Sequence, residues 1–311
     1  MGIHYPVMKD ESISLLSPQD GKTYVDCTLG RAGHASELLR AIPHGRLIAF
    51  DLDEEAIGES REKLSQIGDN FTLVHSSFAN IAEELSHLGI SKVDGIFADL
   101  GVSSPQFDDP SRGFSYRFDS RLDMRMDETS SLSAYEVVNR YKEEELARII
   151  FEYGEDRDAR RIARQIARRR ETKPIETTFE LVEAIKAAKT AKELSKKGHP
   201  AKQTFQAIRI EVNQEEEALK RLLEVGPNLL NEDGRMAIIT FMSLDDRLVK
   251  RRFHSLCVEQ GSRHDIRLPE RKEFALLTKK PILPSDKELL ENPRSASAKL
   301  RGIRKKKEEE Q

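Results

Sequence analysis

The first hundred residues alternate short apolar runs with amphipathic stretches, and no other feature of the sequence constrains the fold as strongly. Four runs have the length and composition of buried strands, at residues 23–27, 46–51, 71–75 and 93–100. The stretches between them repeat apolar residues at helical spacing, at 35–42, 54–67 and 81–88. Strands that alternate with helices predict right-handed crossovers, and therefore an α/β fold with a parallel, Rossmann-like sheet.

From about Phe107 the pattern changes to helical periods with dense charge, and the next convincing strand is 235–241, after a turn at 231–234. We therefore expect a discontinuous sheet domain, 1–106 and 213–311, with an inserted helical domain, 107–212. A helix over 246–260 and a last strand over 274–279 complete the expected sheet domain. From Asn292 the sequence is polar, and we expect its last residues to be poorly ordered.

Composition excludes several classes of protein. The net charge is −3, so any surface that binds nucleic acid must be local. No apolar run approaches the roughly 20 residues that span a bilayer, and the first residues lack the features of a signal peptide, so we expect a cytoplasmic protein. Two distant cysteines and eight histidines without ligand spacing predict no bound metal.

Small or polar residues follow each of the four predicted strands. Gly30 and Gly33 lie in the loop after the first strand and permit a tight turn. Asp51 ends the second strand, 21 positions after Gly30, where a carboxylate can accept hydrogen bonds from ribose hydroxyls. Phe78 follows the third strand and can stack on adenine, and Asp99 ends the fourth. Because the carboxyl ends of parallel strands meet at one edge, this order predicts an adenosine cofactor in one crevice.

The spacing of the glycines favours a cofactor without phosphates. The loop is sparser than the GxGxxG sequence that binds the pyrophosphate of NAD. S-adenosylmethionine fits better, because its sulfonium and amino acid tail suit acidic groups rather than a helix N-terminus. Each residue alone has a common structural explanation, such as packing for Phe78 or a solvated strand end for Asp51. A nicotinamide-dependent oxidoreductase therefore stays open as an alternative.

A basic amphipathic segment predicts contact with RNA. Residues 157–170 contain seven arginines, and Asp158 is the sole acid. At helical spacing one face carries Arg157, Arg160, Arg161, Arg164 and Arg168. The opposite face carries Ala159, Ile162, Ala163 and Ile166. A charge run is commonly a solvated face, but this segment has few acids of its own to pair with, which favours phosphate binding. The neighbouring Glu143, Glu144 and Glu145 would neutralise part of its charge.

Several long strings of this sequence resemble the MraW family of methyltransferases that modify small-subunit ribosomal RNA. In order, they are HYPVM at 4–8, GRAGH at 30–34, DLGVSSPQ at 99–106, LDMRMD at 122–127, EYGE at 152–155, HPA at 199–201, TFQAIR at 204–209, SLDDR at 243–247 and NPRS at 292–295. They cover nearly the whole chain, and several are too long and unusual to be common turn or loop sequences.

The resemblance implies methyl transfer from S-adenosylmethionine to the N4 amine of a cytosine in the decoding region of 16S rRNA. The implied fold is a class I methyltransferase sheet with an inserted substrate-recognition domain. The implied cofactor contacts are Ala32, Gly33, His34, Asp51, Phe78, Asp99 and Gln106. The expected partner is 16S rRNA in the small ribosomal subunit, with no membrane contact, and a homodimer is left open.

Three positions depart from the family pattern. Ala32 replaces a glycine, Gln203 an arginine and Met242 a histidine. Alanine at position 32 costs little conformational energy if its φ is negative. Methionine at position 242 removes one candidate base. Asp99 is therefore the candidate proton acceptor, with orientation of the cofactor as its alternative role. The departures also keep open an RNA-binding ribosome assembly factor with a degraded cofactor pocket.

Overall fold

The computed structural model describes residues 6–258 and 272–310, and the chain divides into two compact units. The sheet unit comprises Met1–Gly101 and Glu217–Gln311, and the helical unit comprises Val102–Glu216. The expected insertion, 107–212, differs from the helical unit by a few residues at each end. His4 and Tyr5 of the first family string, and residues 259–260 of the expected helix over 246–260, lie outside the described residues.

The sheet unit contains a seven-stranded sheet in the order β3-β2-β1-β4-β5-β7-β6. The strands are β1 Thr23–Asp26, β2 Arg46–Asp51, β3 Phe71–His75, β4 Val93–Asp99, β5 Leu230–Thr240, β6 Phe274–Leu276 and β7 Lys299–Lys305. β1 to β5 pair in parallel, and β7 is antiparallel to both β5 and β6. The expected Rossmann-like α/β fold is confirmed.

The helices lie between these strands and in the helical unit. They are α1 Lys9–Leu16, α2 Gly33–Ala41, α3 Glu54–Ser65, α4 Ile81–His87, α5 Ser104–Asp108, α6 Ala134–Arg140, α7 Glu143–Glu152, α8 Ala159–Thr172, α9 Thr178–Ala188, α10 Ala191–Leu194, α11 Lys202–Asn213, α12 Glu215–Leu229, α13 Ser243–Cys257 and α14 Asp286–Glu291. Within the described parts of the chain, no helix is long and apolar enough to cross a bilayer.

Both faces of the central strands are buried, which is why these strands are apolar along their whole length. In β2, Ile48 and Phe50 pack into one apolar layer, and Leu47 and Ala49 pack into the other. The register fixes the carboxyl edge of the sheet. Asp26 of β1 pairs with Ala49 on one side and with Phe97 on the other. Asp51 and Asp99 each lie two residues beyond these partners, so they flank β1 at the same level.

The prediction that residues 231–234 form a turn before the strand was wrong in one respect, because these residues lie within β5. Leu230 pairs with Val93 and Arg235 with Gly95, so the register shifts between the two pairs. The extra residues form an irregular bulge, with Asp233 at a φ of +64°. The Asn-Glu-Asp-Gly sequence therefore disrupts the pairing without ending the strand.

The polar C-terminal segment contains a strand, β7, that the sequence pattern did not predict. Leu300 and Ile303 are fully buried, and the strand lies between β5 and β6. Arg301 is buried as well, and its Nε donates to Asp246 Oδ1 at 2.7 Å. A buried ion pair thus allows a basic sequence to occupy the interior of the sheet. The expected last strand over 274–279 corresponds to the shorter β6.

The helical unit has an apolar core of its own. α8 contributes Ala159, Ile162, Ala163 and Ile166 to this core, as its periodicity predicted. α7 contributes Leu146, Ile149 and Ile150. Because the apolar side of α8 is buried, its arginines are directed to the surface of the unit.

Candidate functional site

The loop between β1 and α2 is held in place by the end of β2. The backbone N–H of Gly30 donates to Asp51 Oδ2 at 2.7 Å, and the Ser60 hydroxyl donates to the Gly30 carbonyl at 2.8 Å. Gly30 has a φ of +49°, in the left-handed region that favours glycine. The predicted tight turn is therefore present, and Asp51 fixes its position.

Ala32 adopts a left-handed conformation, with a φ of +56° and a ψ of 34°. The condition under which alanine would cost little, a negative φ, is therefore not met. The left-handed region costs a residue with a Cβ roughly 1–2 kcal/mol. The turn nevertheless forms, because Ala32 donates its N–H to the Leu29 carbonyl at 2.8 Å and packs fully buried against α2.

Gly33 is required by the packing of the N-terminal segment. A Cβ built on Gly33 would lie 2.7 Å from the Cβ of Pro6, much closer than carbon atoms approach without a shift. Sequence reasoning assigned this glycine to a tight turn. The structure adds a second reason for glycine here, because Pro6 lies against the start of α2.

Asp51 connects two backbone loops and keeps room for a ligand. Its Oδ2 accepts from Gly30 N and its Oδ1 accepts from Asp53 N at 2.9 Å. Burial is the main cause that raises the pKa of Asp51, and these backbone hydrogen bonds oppose it. Each carboxylate oxygen has two lone pairs. The backbone N–H of Leu52 also donates to this carboxyl group, so three backbone donors use three of its four lone pairs and one is left to accept from a ribose hydroxyl.

Asp26 and Asp99 are two further carboxyl groups at the same edge. Asp26 is fully buried at the end of β1, and its Oδ1 accepts from Thr28 N at 3.0 Å. Burial raises the pKa of Asp26 to about 7 and that of Asp99 to about 8, and repulsion between the two adds to the pKa of Asp99. Among the described residues, Asp26 Oδ2 and Asp99 Oδ1 are buried without a hydrogen-bond partner.

His34 faces Asp99 as a neutral acceptor. Its Nε2 lies 2.9 Å from the Val7 carbonyl, which can only accept, so Nε2 carries the proton. Its Nδ1 lies 3.8 Å from Asp99 Oδ2. Burial lowers the pKa of His34 to about 4, and its ring packs against Phe97 at a centroid distance of 4.5 Å. The side chain of His34 therefore lies beside Asp99, and its cofactor contact stays a prediction.

Phe78 and Gln106 lie in different units. Phe78 begins a short 3-10 turn after β3, and its half-buried ring packs against the apolar core of the sheet unit. Gln106 lies in α5 of the helical unit, where its Oε1 accepts from Ser103 N at 3.2 Å as part of a capping box. The predicted cofactor contacts of both side chains stay predictions.

The acidic edge of the sheet fits a cationic adenosine cofactor. Buried carboxyl groups without partners are costly, and a positive ligand charge would compensate them. The contact of Asp51 with ribose hydroxyls stays a prediction, and Asp26 and Asp99 are the carboxyl groups with a buried oxygen that lacks a partner among the described residues. Sequence reasoning missed Asp26, although a lone acid at the end of an apolar strand was a usable signal. No group of three metal-ligating side chains is found within residues 6–258 and 272–310.

The five predicted RNA-binding arginines are all exposed in the helical unit. Arg160, Arg161, Arg164 and Arg168 lie on α8, whereas Arg157 lies in the turn before it, because the helix begins at Ala159. Two are paired: Arg161 with Asp158 at 3.1 Å, and Arg164 with Glu143 at 3.6 Å. The other three have no ion-pair partner among the residues that the structure describes. We call Arg157, Arg160, Arg161, Arg164 and Arg168 the arginine stripe.

The two remaining departures from the family pattern are Gln203 and Met242, which lie at the start of a helix and just before one. Gln203 lies in the first turn of α11, and its Nε2 donates to the Glu155 carbonyl at 3.0 Å. Met242 is the residue that precedes α13, at the carboxyl end of β5. Neither side chain supplies an ionisable group.

Comparison with known proteins gives consistent matches over the whole chain. A model of the MraW methylase family matches residues 1–306. "Ribosomal RNA small subunit methyltransferase H" of Mesoplasma florum is 49% identical over 308 residues, which are 97% of this chain and 99% of that protein. The proteins of the same description from Exiguobacterium sibiricum and Lactobacillus delbrueckii subsp. bulgaricus are 49% identical over 312 residues and 48% identical over 305 residues. They cover 98% and 96% of this chain, and 99% and 97% of their own lengths.

Proposed function

The chain belongs to the MraW methylase family, and from this premise we propose that it methylates the N4 amine of a cytosine in the decoding region of 16S rRNA. Its methyl donor is S-adenosylmethionine, and its substrate class is the ribosomal RNA of the small subunit, as in the names of its relatives. The choice of cytosine and of its amine rests on the strings that the chain shares with the family.

The acidic edge of the sheet is the observation that supports this proposal most. Asp51, Asp26 and Asp99 end three adjacent strands, and two of them carry a buried oxygen without a partner among the described residues. When bound there, S-adenosylmethionine supplies an electrophilic methyl group and a positive charge. We assign Asp51 to the ribose hydroxyls and Asp26 and Asp99 to the cationic end of the cofactor.

Asp99 also has the properties of a proton acceptor for the amine. A cytosine amine is a weak nucleophile, because its lone pair is delocalised into the ring, so orientation matters more than basicity. The pKa of Asp99, about 8, falls when a positive charge is bound nearby, which favours the ionised form. Asp99 Oδ1 then accepts the amine proton, and His34 Nδ1 lies 3.8 Å from the second oxygen.

The arginine stripe supplies the electrostatic part of substrate binding. Its exposed guanidinium groups match the phosphates of RNA, and three of them have no competing carboxylate within 4 Å among the described residues. A base whose amine must reach the methyl donor and give its proton to a buried carboxylate must leave any stack. We therefore propose an unpaired or opened segment of 16S rRNA as the substrate.

Methyl transfer to ribosomal subunits tests the proposal directly. Small subunits that lack the modification are incubated with the protein and labelled S-adenosylmethionine, and the nucleosides are separated by mass spectrometry. We expect the label in N4-methylcytosine of 16S rRNA, and large subunits serve as the control substrate. Label in another nucleoside, or equal labelling of the large subunit, contradicts the assignment.

Calorimetry with S-adenosylmethionine separates the enzyme from an assembly factor with a degraded pocket. The left-handed turn at Ala32 forms despite its Cβ, which favours an intact cofactor loop. We expect binding heat for the wild-type protein and its loss in Asp51→Asn. Thermal melting with each cofactor separates the nicotinamide alternative, because a ligand at 100 times its Kd stabilises by about 2.7 kcal/mol. A rise in Tm with NAD alone contradicts the proposal.

A further inference from the structure

Two exposed phenylalanines of the helical unit lie on segments that are hydrogen-bonded to each other, and neither has an assigned role. Phe118 is 43% exposed and Phe179 is 44% exposed. Aromatic rings are normally buried when a domain has a core to receive them, and this unit has one. Two exposed rings on adjoining segments therefore indicate a binding surface rather than incomplete packing.

Hydrogen bonds hold the two phenylalanines together through their backbones. The Thr178 hydroxyl donates to the Phe118 carbonyl at 2.6 Å and accepts from Ser120 N at 3.0 Å. Thr178 N donates to the Ser120 carbonyl at 2.8 Å, and Phe179 N donates to Asp119 Oδ1 at 3.3 Å. The two segments are thus fixed before any ligand binds, which lowers the entropic cost of presenting both rings.

Arginines lie near the two phenylalanines in the sequence and in the hydrogen-bonded segments. Arg117 and Arg121 flank Phe118 in sequence and are exposed, and neither has a carboxylate within 4 Å in the described chain. The Nη1 of Arg169, at the C-terminal end of α8, donates to the Glu180 carbonyl at 2.9 Å, next to Phe179. The acids of this region already have partners: Glu180 pairs with Lys173 at 2.9 Å, and Asp119 accepts from Phe179 N.

Exposed aromatic rings among free arginines are the combination that binds single-stranded nucleic acid. Bases stack on the rings, and guanidinium groups neutralise the phosphates. We propose that Phe118 and Phe179, with Arg117 and Arg121, form a stacking platform for unpaired bases of the rRNA strand that carries the target cytosine. This inference rests on the proposed function for the identity of the strand.

The affinity of the protein for a short oligoribonucleotide tests whether the platform contributes to RNA binding. The full-length Phe118→Ala, Phe179→Ala and double variants are titrated with a labelled single strand of the decoding region and with the same strand in a duplex. We expect each substitution to weaken binding of the single strand about tenfold and to leave duplex binding unchanged. The slope of affinity against salt should not change, because no phosphate contact is removed.

Matched variants identify stacking as the cause. Phe151→Ala is the control, because Phe151 is a 62% exposed phenylalanine of the same unit without a role in the platform. Phe179→Trp should retain affinity and Phe179→Leu should lose it, since leucine keeps apolar area but has no aromatic face. Cofactor heat and the circular dichroism of each variant report whether the fold is intact.

The outcomes separate this inference from the proposed function. The platform is overturned if the double variant binds the single strand as wild type does, if Phe151→Ala weakens binding equally, or if Phe179→Leu retains affinity. The platform is also overturned if the double variant loses binding to a ribosomal protein but keeps binding to the single strand. The proposed function is judged on wild-type methylation alone, so methylated cytosine together with an unaffected double variant removes the platform and keeps the enzyme.

Discussion

Asp26→Asn should make the stability of the cofactor-free protein less dependent on pH. The Asp26 side chain is fully buried, its Oδ1 accepts from Thr28 N, and its Oδ2 has no partner among the described residues. Burial is the main cause that raises its pKa to about 7, and the charge of Asp51 adds to the rise. Asparagine keeps the acceptor for Thr28 and stays neutral at every pH.

The sign and size of the effect follow from the two pKa values of Asp26. In the unfolded chain the carboxyl loses its proton near 3.8, whereas in the folded chain it keeps the proton up to about 7. The folded state therefore binds more protons between these values, and stability falls as pH rises through that window. A difference of about 3 pKa units corresponds to a loss on the order of 4 kcal/mol. Asp99 contributes with the same sign, so the variant removes only part of the slope.

Urea unfolding followed by circular dichroism measures this prediction at several pH values between about 5 and 8. We expect the free energy of unfolding of Asp26→Asn to fall less steeply than that of wild type. Asp109→Asn is the matched control, because hydrogen bonds from Ser111 lower the pKa of this exposed carboxyl, so it is ionised throughout the range. Equal slopes for Asp26→Asn and wild type would refute the reasoning.

Four further predictions concern the loop, the proton acceptor and the arginine stripe. Gly33→Ala places a Cβ 2.7 Å from Pro6 and should lower the free energy of unfolding by about 1–3 kcal/mol in urea titrations; an unchanged value would contradict the close packing. Ala32→Gly should stay within about 1 kcal/mol of wild type, because relief of the left-handed conformation is offset by lost methyl burial and by chain entropy; calorimetry should give the same cofactor affinity. Asp99→Asn should abolish the rise with pH toward about 8 of kcat/KM for S-adenosylmethionine, which reports the cofactor-free enzyme, since only the ionised carboxyl accepts a proton; a retained profile would assign the proton to another group. Arg160→Gln should weaken RNA binding and reduce the slope of log affinity against log salt by about 0.7–0.9 without changing cofactor heat; an unchanged slope would place Arg160 outside the RNA interface.

Elements whose stability depends on local pattern could be predicted from the sequence. β2 and β3 begin and end where the apolar runs do, because both are short strands bounded by turn or polar residues. The buried face of α8 was also predicted, since its apolar residues repeat at helical spacing. Asp51 and Asp99 were found because parallel strands of known direction bring their carboxyl ends together.

Elements that depend on distant partners could not be predicted in the same way. β7 has a basic sequence, and it is stable inside the sheet only because Asp246, 55 positions earlier, pairs with Arg301. The φ of Ala32 depends on the whole loop and not on the residue, since alanine alone favours a negative value. The proximity of Phe118 and Phe179 depends on hydrogen bonds between segments 60 positions apart.

The carboxyl edge of the sheet is where local stability and function conflict. Apolar packing explains the strands up to Asp26, Asp51 and Asp99, but it does not explain three carboxyl groups, two of them with pKa values near neutrality. A site selected only for stability would replace such groups with apolar residues of similar size. The same groups become favourable when a positive ligand charge lies among them, because the charge lowers their pKa values and supplies their missing partners. The cost of burying these carboxyl groups without a counter-charge is therefore the physical reason why this edge suits a cationic cofactor.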